Sequence, residues 1–256
     1  MLHYHSMTEN TPAKPLNFAV LIDADNASPL VFSEILSEVA KIGEVTVKRI
    51  YGDFSSPHST RWTDVIHKHA VMPRQQFAFT KGKNATDILL VIDAMDLLHT
   101  GRFDGFCLVS SDSDFTSLAM RLRDGGVMVV GFGEKKAPEA FRNACQRFVF
   151  TEVLRDAINA PATGEAKTGD ELQEPVFPDE FFLAALAQAK GDAEWVNLGA
   201  YGTHLIKLRS DFDPRLLRYD RLISLVKARS DLFVLKYMRL GNGARVPHIK
   251  EAGAQL

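Results

Sequence analysis

Four aspartates carry the chemistry open to this sequence. Asp23 ends the apolar run FAVLI, Asp87 lies in KGKNATDILL, and Asp112 and Asp114 stand two residues apart in FCLVSSDSDFTSLAM. Carboxylates gathered in one place repel one another unless a cation neutralises them. Oxygen ligands without sulfur or imidazole select Mg²⁺ or Mn²⁺. Such an ion can activate water for attack on phosphate and stabilise an in-line displacement. Asn26, Ser110 and Ser111 could orient phosphate or ligand water, and Lys81 and Lys83 precede Asp87 where a phosphate contact would fall. Simpler roles exist for each. Asp87 and Asp114 suit the first turn of a helix, Asn26 suits a turn, and the two lysines suit a solvated loop.

The elements that must position these groups alternate strand and helix. Phe18–Ile22 and Phe106–Val109 are apolar runs of strand length, whereas Phe115, Leu118, Ala119 and Leu122 recur at helical spacing and Gly125-Gly126 closes that helix. Ser28-Pro29 reads as a cap followed by proline at the first helical position, ahead of Leu30, Val31, Ile35, Leu36 and Val39. A strand near Val45–Tyr51 and a weaker helix around Trp62–His69 come next. Ile88, Leu89, Val91, Ile92, Met95 and Leu98 predict an apolar stripe on a central helix, with Asp93 and Asp96 on its polar face. A strand from Val127, a helix over Pro138–Arg147 and the strand-like FVF complete the series. Repeated alternation predicts an α/β fold, a parallel sheet with helices on both faces. Ligands of such sheets bind outside the carboxyl ends of the strands, where Asp23 and Asp112 fall.

Composition narrows the class. An apolar content of 46% with mixed charge belongs to a folded chain, and no window is long and apolar enough to span a bilayer, so no membrane partner is expected. The opening MLHYHSMTENTPAKP lacks the apolar core of a signal peptide, which makes the cytoplasm the expected location. Cys107 and Cys145 form no CxxC or Cys/His cluster, so neither a disulfide framework nor a zinc site is expected. The net charge of −2 conceals an uneven distribution. Seven Lys/Arg face two Asp between Lys48 and Asn84, and eleven face four Asp between Tyr201 and Lys250. Acidic residues and prolines concentrate between these regions, the composition of a solvated linker.

Five segments then carry a resemblance. FAVLIDADNAS, RIYGDF, KGKNATDILLVIDAMDLL, FCLVSSDSDFTSLAMRLRDGG and FRNACQRFVF, in that order, resemble the NYN domain of the LabA-like (DUF88) group. This implies a PIN-like (Rossmann-like) three-layer nuclease fold, an acidic pocket for Mg²⁺ or Mn²⁺, and RNA as substrate. By position, Asp23, Asp87, Asp112 and Asp114 match the acidic motif residues and Asn26 the asparagine of the first motif. Asp23 and Asp112 are then expected as direct metal ligands, with Asp87 and Asp114 completing the site directly or through water.

Downstream, FFLAALAQAKGDAEWVNLGAYGTHLIKLRSDFDPRLLRYDRLISLVKARSDLFVLKYM is similar to the OST-HTH, or LOTUS, domain. That implies a smaller winged-helix-like domain binding RNA or a protein. Arg218-Tyr219 stands where a tyrosine-glycine pair is common in that family. Lys207, Arg215, Arg218 and Arg221 are the cations expected to face RNA. The expected organisation is a nuclease domain at 15–158, an acidic flexible linker at 159–176, an OST-HTH domain at 177–240 and a tail at 241–256. The expected function is a metal-dependent ribonuclease tethered to a recruiting domain. A non-catalytic RNA-binding adaptor is the alternative. A third reading, a haloacid-dehalogenase-like phosphatase, takes Asp23-Ala24-Asp25 as a DxD nucleophile.

Overall fold

Apolar runs too short for helices and bounded by polar turns form the strands of the first domain, seen in a computed structural model that describes residues 14–54, 61–76, 85–159, 177–239, 241 and 243–253. In chain order the elements are β1 (Asn17–Asp23), α1 (Phe32–Ala40), β2 (Glu44–Gly52), α2 (Thr63–His69), β3 (Met72–Gln75), α3 (Ala85–His99), β4 (Gly105–Val109), α4 (Thr116–Asp124), β5 (Met128–Gly133), α5 (Glu139–Ala144), β6 (Arg147–Phe150) and α6 (Thr151–Asn159). A 3-10 turn at Pro29–Val31 leads into α1, with the Ser28 hydroxyl accepting from Leu30 N. The six strands form one parallel sheet in the order β3-β2-β1-β4-β5-β6.

Strand order reverses between β1 and β4, which lie side by side although three helices and two strands separate them in sequence. Both strands are buried on both faces, as a doubly covered parallel sheet requires. Alternation along β1 sends Phe18, Val20 and Ile22 into the layer of α1 and α6, and Ala19 and Leu21 into the layer of α3 and α4. By the same alternation Asp23 turns toward α3, the helix that carries Asp87.

Two expectations about this domain need correction, and one strand goes unread in the sequence. The buried face of α3 is Leu90, Asp93, Ala94 and Leu97, while Ile88 and Ile92 are exposed. Asp93 therefore lies in the protein interior instead of on a polar face. It pairs with Arg49 and accepts from the Tyr51 hydroxyl at 2.5 Å, and Arg74 approaches to 3.6 Å. A buried acid supplied with cations and a donor is tolerated where a lone one is not. The unread element is β3, whose MPRQ has neither alternation nor an apolar run; it is an edge strand, where proline is accepted. The second correction is that α5 is shorter than expected, because Cys145 is already extended.

The second domain contains α7 (Asp179–Lys190), β7 (Val196–Asn197), α8 (Leu198–Leu208), α9 (Leu222–Ala228), β8 (Phe233–Arg239) and β9 (Arg245–Glu251). Its three strands form an antiparallel sheet in the order β7-β9-β8. The expected tail from 241 onward thus supplies the central strand of this sheet. Ile249, fully buried against the core, holds it there.

The expected linker lies, beyond Asn159, outside the described residues. The two domains are nevertheless in direct contact. Phe148 N on the edge strand β6 donates to Ser210 O at 2.8 Å, and Ser210 Oγ donates to Arg142 O at 2.8 Å. Arg142 pairs with the buried Asp211 at 2.7 Å, and Arg215 pairs with Asp213 at 2.7 Å and with Glu38 of α1 at 2.8 Å. One apolar core runs from Phe148 and Phe150 to Phe177, Phe182 and Phe212. The segment Arg209–Arg215 therefore protects a strand edge that would otherwise template pairing with another chain. No described helix is long and apolar enough to cross a membrane.

Candidate metal centre

The carboxyl ends of β1 and β4 are stitched together by one hydroxyl. Ser110 Oγ donates to Asp23 Oδ2 at 2.7 Å and accepts from Asp112 N at 3.0 Å. The other oxygen of Asp23 accepts from Asp25 N at 3.1 Å and Asn26 N at 3.3 Å, which folds DADN into a tight turn. Asp23 is 1% exposed. Burial pushes its carboxyl above the ordinary 3.8, against the opposing hydrogen bonds from Ser110, Asn26 and Asp25.

Asp112 caps the 3-10 turn Ser113–Phe115, its Oδ1 accepting from Asp114 N at 2.9 Å. The cap is thus Asp112, not the Asp87 or Asp114 for which the sequence suggests a first-turn role, and it engages only one of the two Asp112 oxygens in backbone capping. Ser111 Oγ accepts from Glu134 N at 2.8 Å, tying in the end of β5. That approach needs Gly133, since a Cβ there would fall 2.5 Å from Ser110 O. Glu134 is a neighbour of the site that the motif pattern misses, and its place after the strand-ending glycines of GFGE is the signal that points to it.

Helix α3 brings the remaining acid. Oxygens of Asp87, Asp112 and Asp114 lie within 4.8 Å of one another, Asp87 and Asp112 half-buried and Asp114 exposed. No described Lys, Arg or His forms an ion pair with Asp87 or Asp112. The Asp87 carboxyl is pushed up to about 6, by burial first and then by the charges of Asp23, Asp112, Asp114 and Asp25. Three converging carboxylates, one of them made harder to ionise by burial and its neighbours' charge, fit a hard divalent ion that keeps several waters. Asp23 lies outside this trio, with both oxygens engaged in the protein. A buried Asp23 that accepts three hydrogen bonds is also badly placed to be a phosphatase nucleophile.

Of the other expected site residues, Asn26 is tied by its backbone N–H to Asp23, Ser111, one residue before Asp112, is held by Glu134 N, and Lys81 and Lys83 lie outside the described residues. In the second domain Lys207 is exposed on α8, Arg218 is exposed in a left-handed conformation (φ 62°), and Arg221 is exposed ahead of α9. Arg215 is instead engaged between Asp213 and Glu38.

A parallel α/β domain with acids at its strand-order reversal, joined to a small domain of helices and an antiparallel sheet, defines a two-domain PIN-like protein. The chain belongs to the NYN domain family, which matches residues 17–154, and residues 177–244 match the OST-HTH/LOTUS domain. Among solved structures, a protein of unknown function from Vibrio parahaemolyticus is 17% identical, with a TM-score of 0.45, covering 54% of this chain and 94% of its own. An uncharacterized protein from Nitrosomonas europaea is 36% identical over 38% of this chain and 92% of its own, with a TM-score of 0.31. No curated protein matches this chain.

Proposed function

We propose that the protein is a ribonuclease that uses Mg²⁺ or Mn²⁺ to hydrolyse RNA phosphodiester bonds, with the second domain contributing to RNA binding. The observation that carries this reading is the convergence of Asp87, Asp112 and Asp114 at the end of β4. Asp112 and Asp87 would hold the ion, with Asp114 ligating it directly or through water. When bound, the ion supplies a Lewis acid that activates water and neutralises charge building on the phosphate. Asp23 keeps the β1 and β4 ends in register through Ser110 and adds negative charge behind the ligands. Asn26 and Ser111 orient the phosphate, and Lys81 and Lys83 draw the RNA backbone toward Asp87. Cytoplasmic RNA is the substrate pool this reading assigns, and the five motif segments favour the LabA-like group for the first domain.

Cleavage of end-labelled RNA by purified Asp112→Asn, with Mg²⁺, Mn²⁺ or EDTA, tests the assignment. Loss of a transition-state-stabilising group should lower the rate by at least about 100-fold, with the fold retained by circular dichroism. Wild-type rates in the variant would refute the proposed ligand. RNA binding by the wild type without turnover in either metal would leave the adaptor role instead.

A further inference from the structure

The β8–β9 hairpin sets like charges face to face. Its register places Arg239 directly opposite Arg245, and both side chains are exposed. Like charges opposed across a strand pair destabilise it. Among the described residues neither arginine has an ion-pair or hydrogen-bonding partner for its side chain. Tyr237 lies on the same side of the sheet, two residues before Arg239, and is 48% exposed. Its cross-strand neighbour, Pro247, lines a shallow hollow with Leu198, Ile223 and Arg221. No acidic residue occurs in Leu235–Arg239 or Arg245–Ile249. Phe233, the other ring on β8, is buried, and Trp195, which precedes β7, already has Lys236 and Lys250 at 5.2 and 4.9 Å from its ring centre, so Tyr237 is the ring left open.

We propose that this strip of the hairpin binds single-stranded RNA. A phosphate sits between Arg239 and Arg245, an unpaired base stacks on Tyr237, and Arg221 takes a second phosphate across the hollow. An anion there relieves the repulsion that the strand pairing imposes. Two strand residues span about 7 Å, so the ring and the guanidinium pair can meet a base and a nearby phosphate together. The single strand is specified because a base paired inside a duplex has no free face for Tyr237. The proposal rests on the RNA reading of the protein's function, but it uses none of the acidic residues.

The test uses full-length Arg239→Ala, Arg245→Ala and Tyr237→Ala, with Lys190→Ala as a charge control from an exposed helix end in the same domain. Binding of a fluorescent single-stranded RNA is measured in EDTA over a salt series. Each arginine variant should lose affinity and flatten the dependence of log K on log salt by about 0.7 for each phosphate it no longer neutralises. Tyr237→Ala should bind at least about fivefold more weakly with an unchanged slope, because stacking releases no counterions. The arginine variants should melt no lower than the wild type, which separates weakened binding from impaired folding. Wild-type slopes in both arginine variants, or an equal loss in Lys190→Ala, would overturn the proposal. So would equal affinity for a perfect RNA duplex. Unchanged RNA binding in the arginine variants, together with loss of a polyglutamate peptide that the wild type captures, would overturn it too, and assign the strip to an acidic protein partner. A wild type that binds RNA in EDTA but does not cleave it with either Mg²⁺ or Mn²⁺ would remove the nuclease reading and leave this surface standing.

Discussion

Asp87→Asn should make the metal-free protein more stable at neutral pH. The Asp87 carboxyl is pushed up from 3.8 to about 6 by burial and by four neighbouring carboxylates. Because the folded value is raised, the folded state binds more protons than the unfolded chain between these values, so stability falls as pH rises from about 4 to about 6. Above that window the full cost of ionisation is present; below about pH 4 it vanishes. A difference of about two units corresponds to about 3 kcal/mol. Asp87 is only half-buried, and solvent screening reduces the usable figure to about 1 kcal/mol. For a chain of this size that is a rise in Tm of about 2–4 °C. Calorimetry in EDTA should show this gain near neutral pH and no gain near pH 4. Saturating Mn²⁺ should reverse the order, because binding to the native state stabilises the wild type more than a variant without that ligand. A variant melting below the wild type in EDTA at neutral pH, or a gap that ignores pH, would refute the reasoning.

Ser110→Ala removes the hydroxyl that donates to the buried Asp23 carboxylate at 2.7 Å, and should cost about 1–3 kcal/mol in a urea titration; an unchanged midpoint would mean that water replaces the hydroxyl. Arg215→Ala strips a partner from Asp213 and Glu38, both buried, and should destabilise by about 2–4 kcal/mol, discounted because Glu38 keeps Lys41 and Arg147. That loss should appear as one cooperative transition at lower denaturant, whereas two separate transitions would show that the domains fold independently. Ending the chain after Asn159 should expose the β6 edge and the Phe148–Phe150 side of the core, giving concentration-dependent aggregation in sedimentation; a well-behaved monomer would contradict the packing of the two domains through Ser210 and Phe212.

The sequence determined the order of strands and helices and the identity of the acids, because both are local properties. Apolar runs of strand length end in Asp23 and in Ser110-Ser111-Asp112, and a sheet that alternates β and α leaves such residues at the carboxyl ends of strands. What lies next to what was not local. That β1 neighbours β4, so that Ser110 can bond Asp23, follows from the order of strands in the sheet. The rotation of α3 was equally hidden. A helix apolar on several sides does not state which side it buries, and the arginines of β2 and β3 decided that Asp93 faces inward while Ile88 and Ile92 remain outside. Arg215 looked like one more surface cation until the packing of the domains gave it Glu38, a residue 177 positions away. The expected tail became the centre of a sheet through a pairing that only the folded chain makes, and with it came the opposition of Arg239 and Arg245. Periodicity reports the environment one element prefers; the partner that satisfies a buried charge or meets an exposed one is set when elements distant in sequence come together.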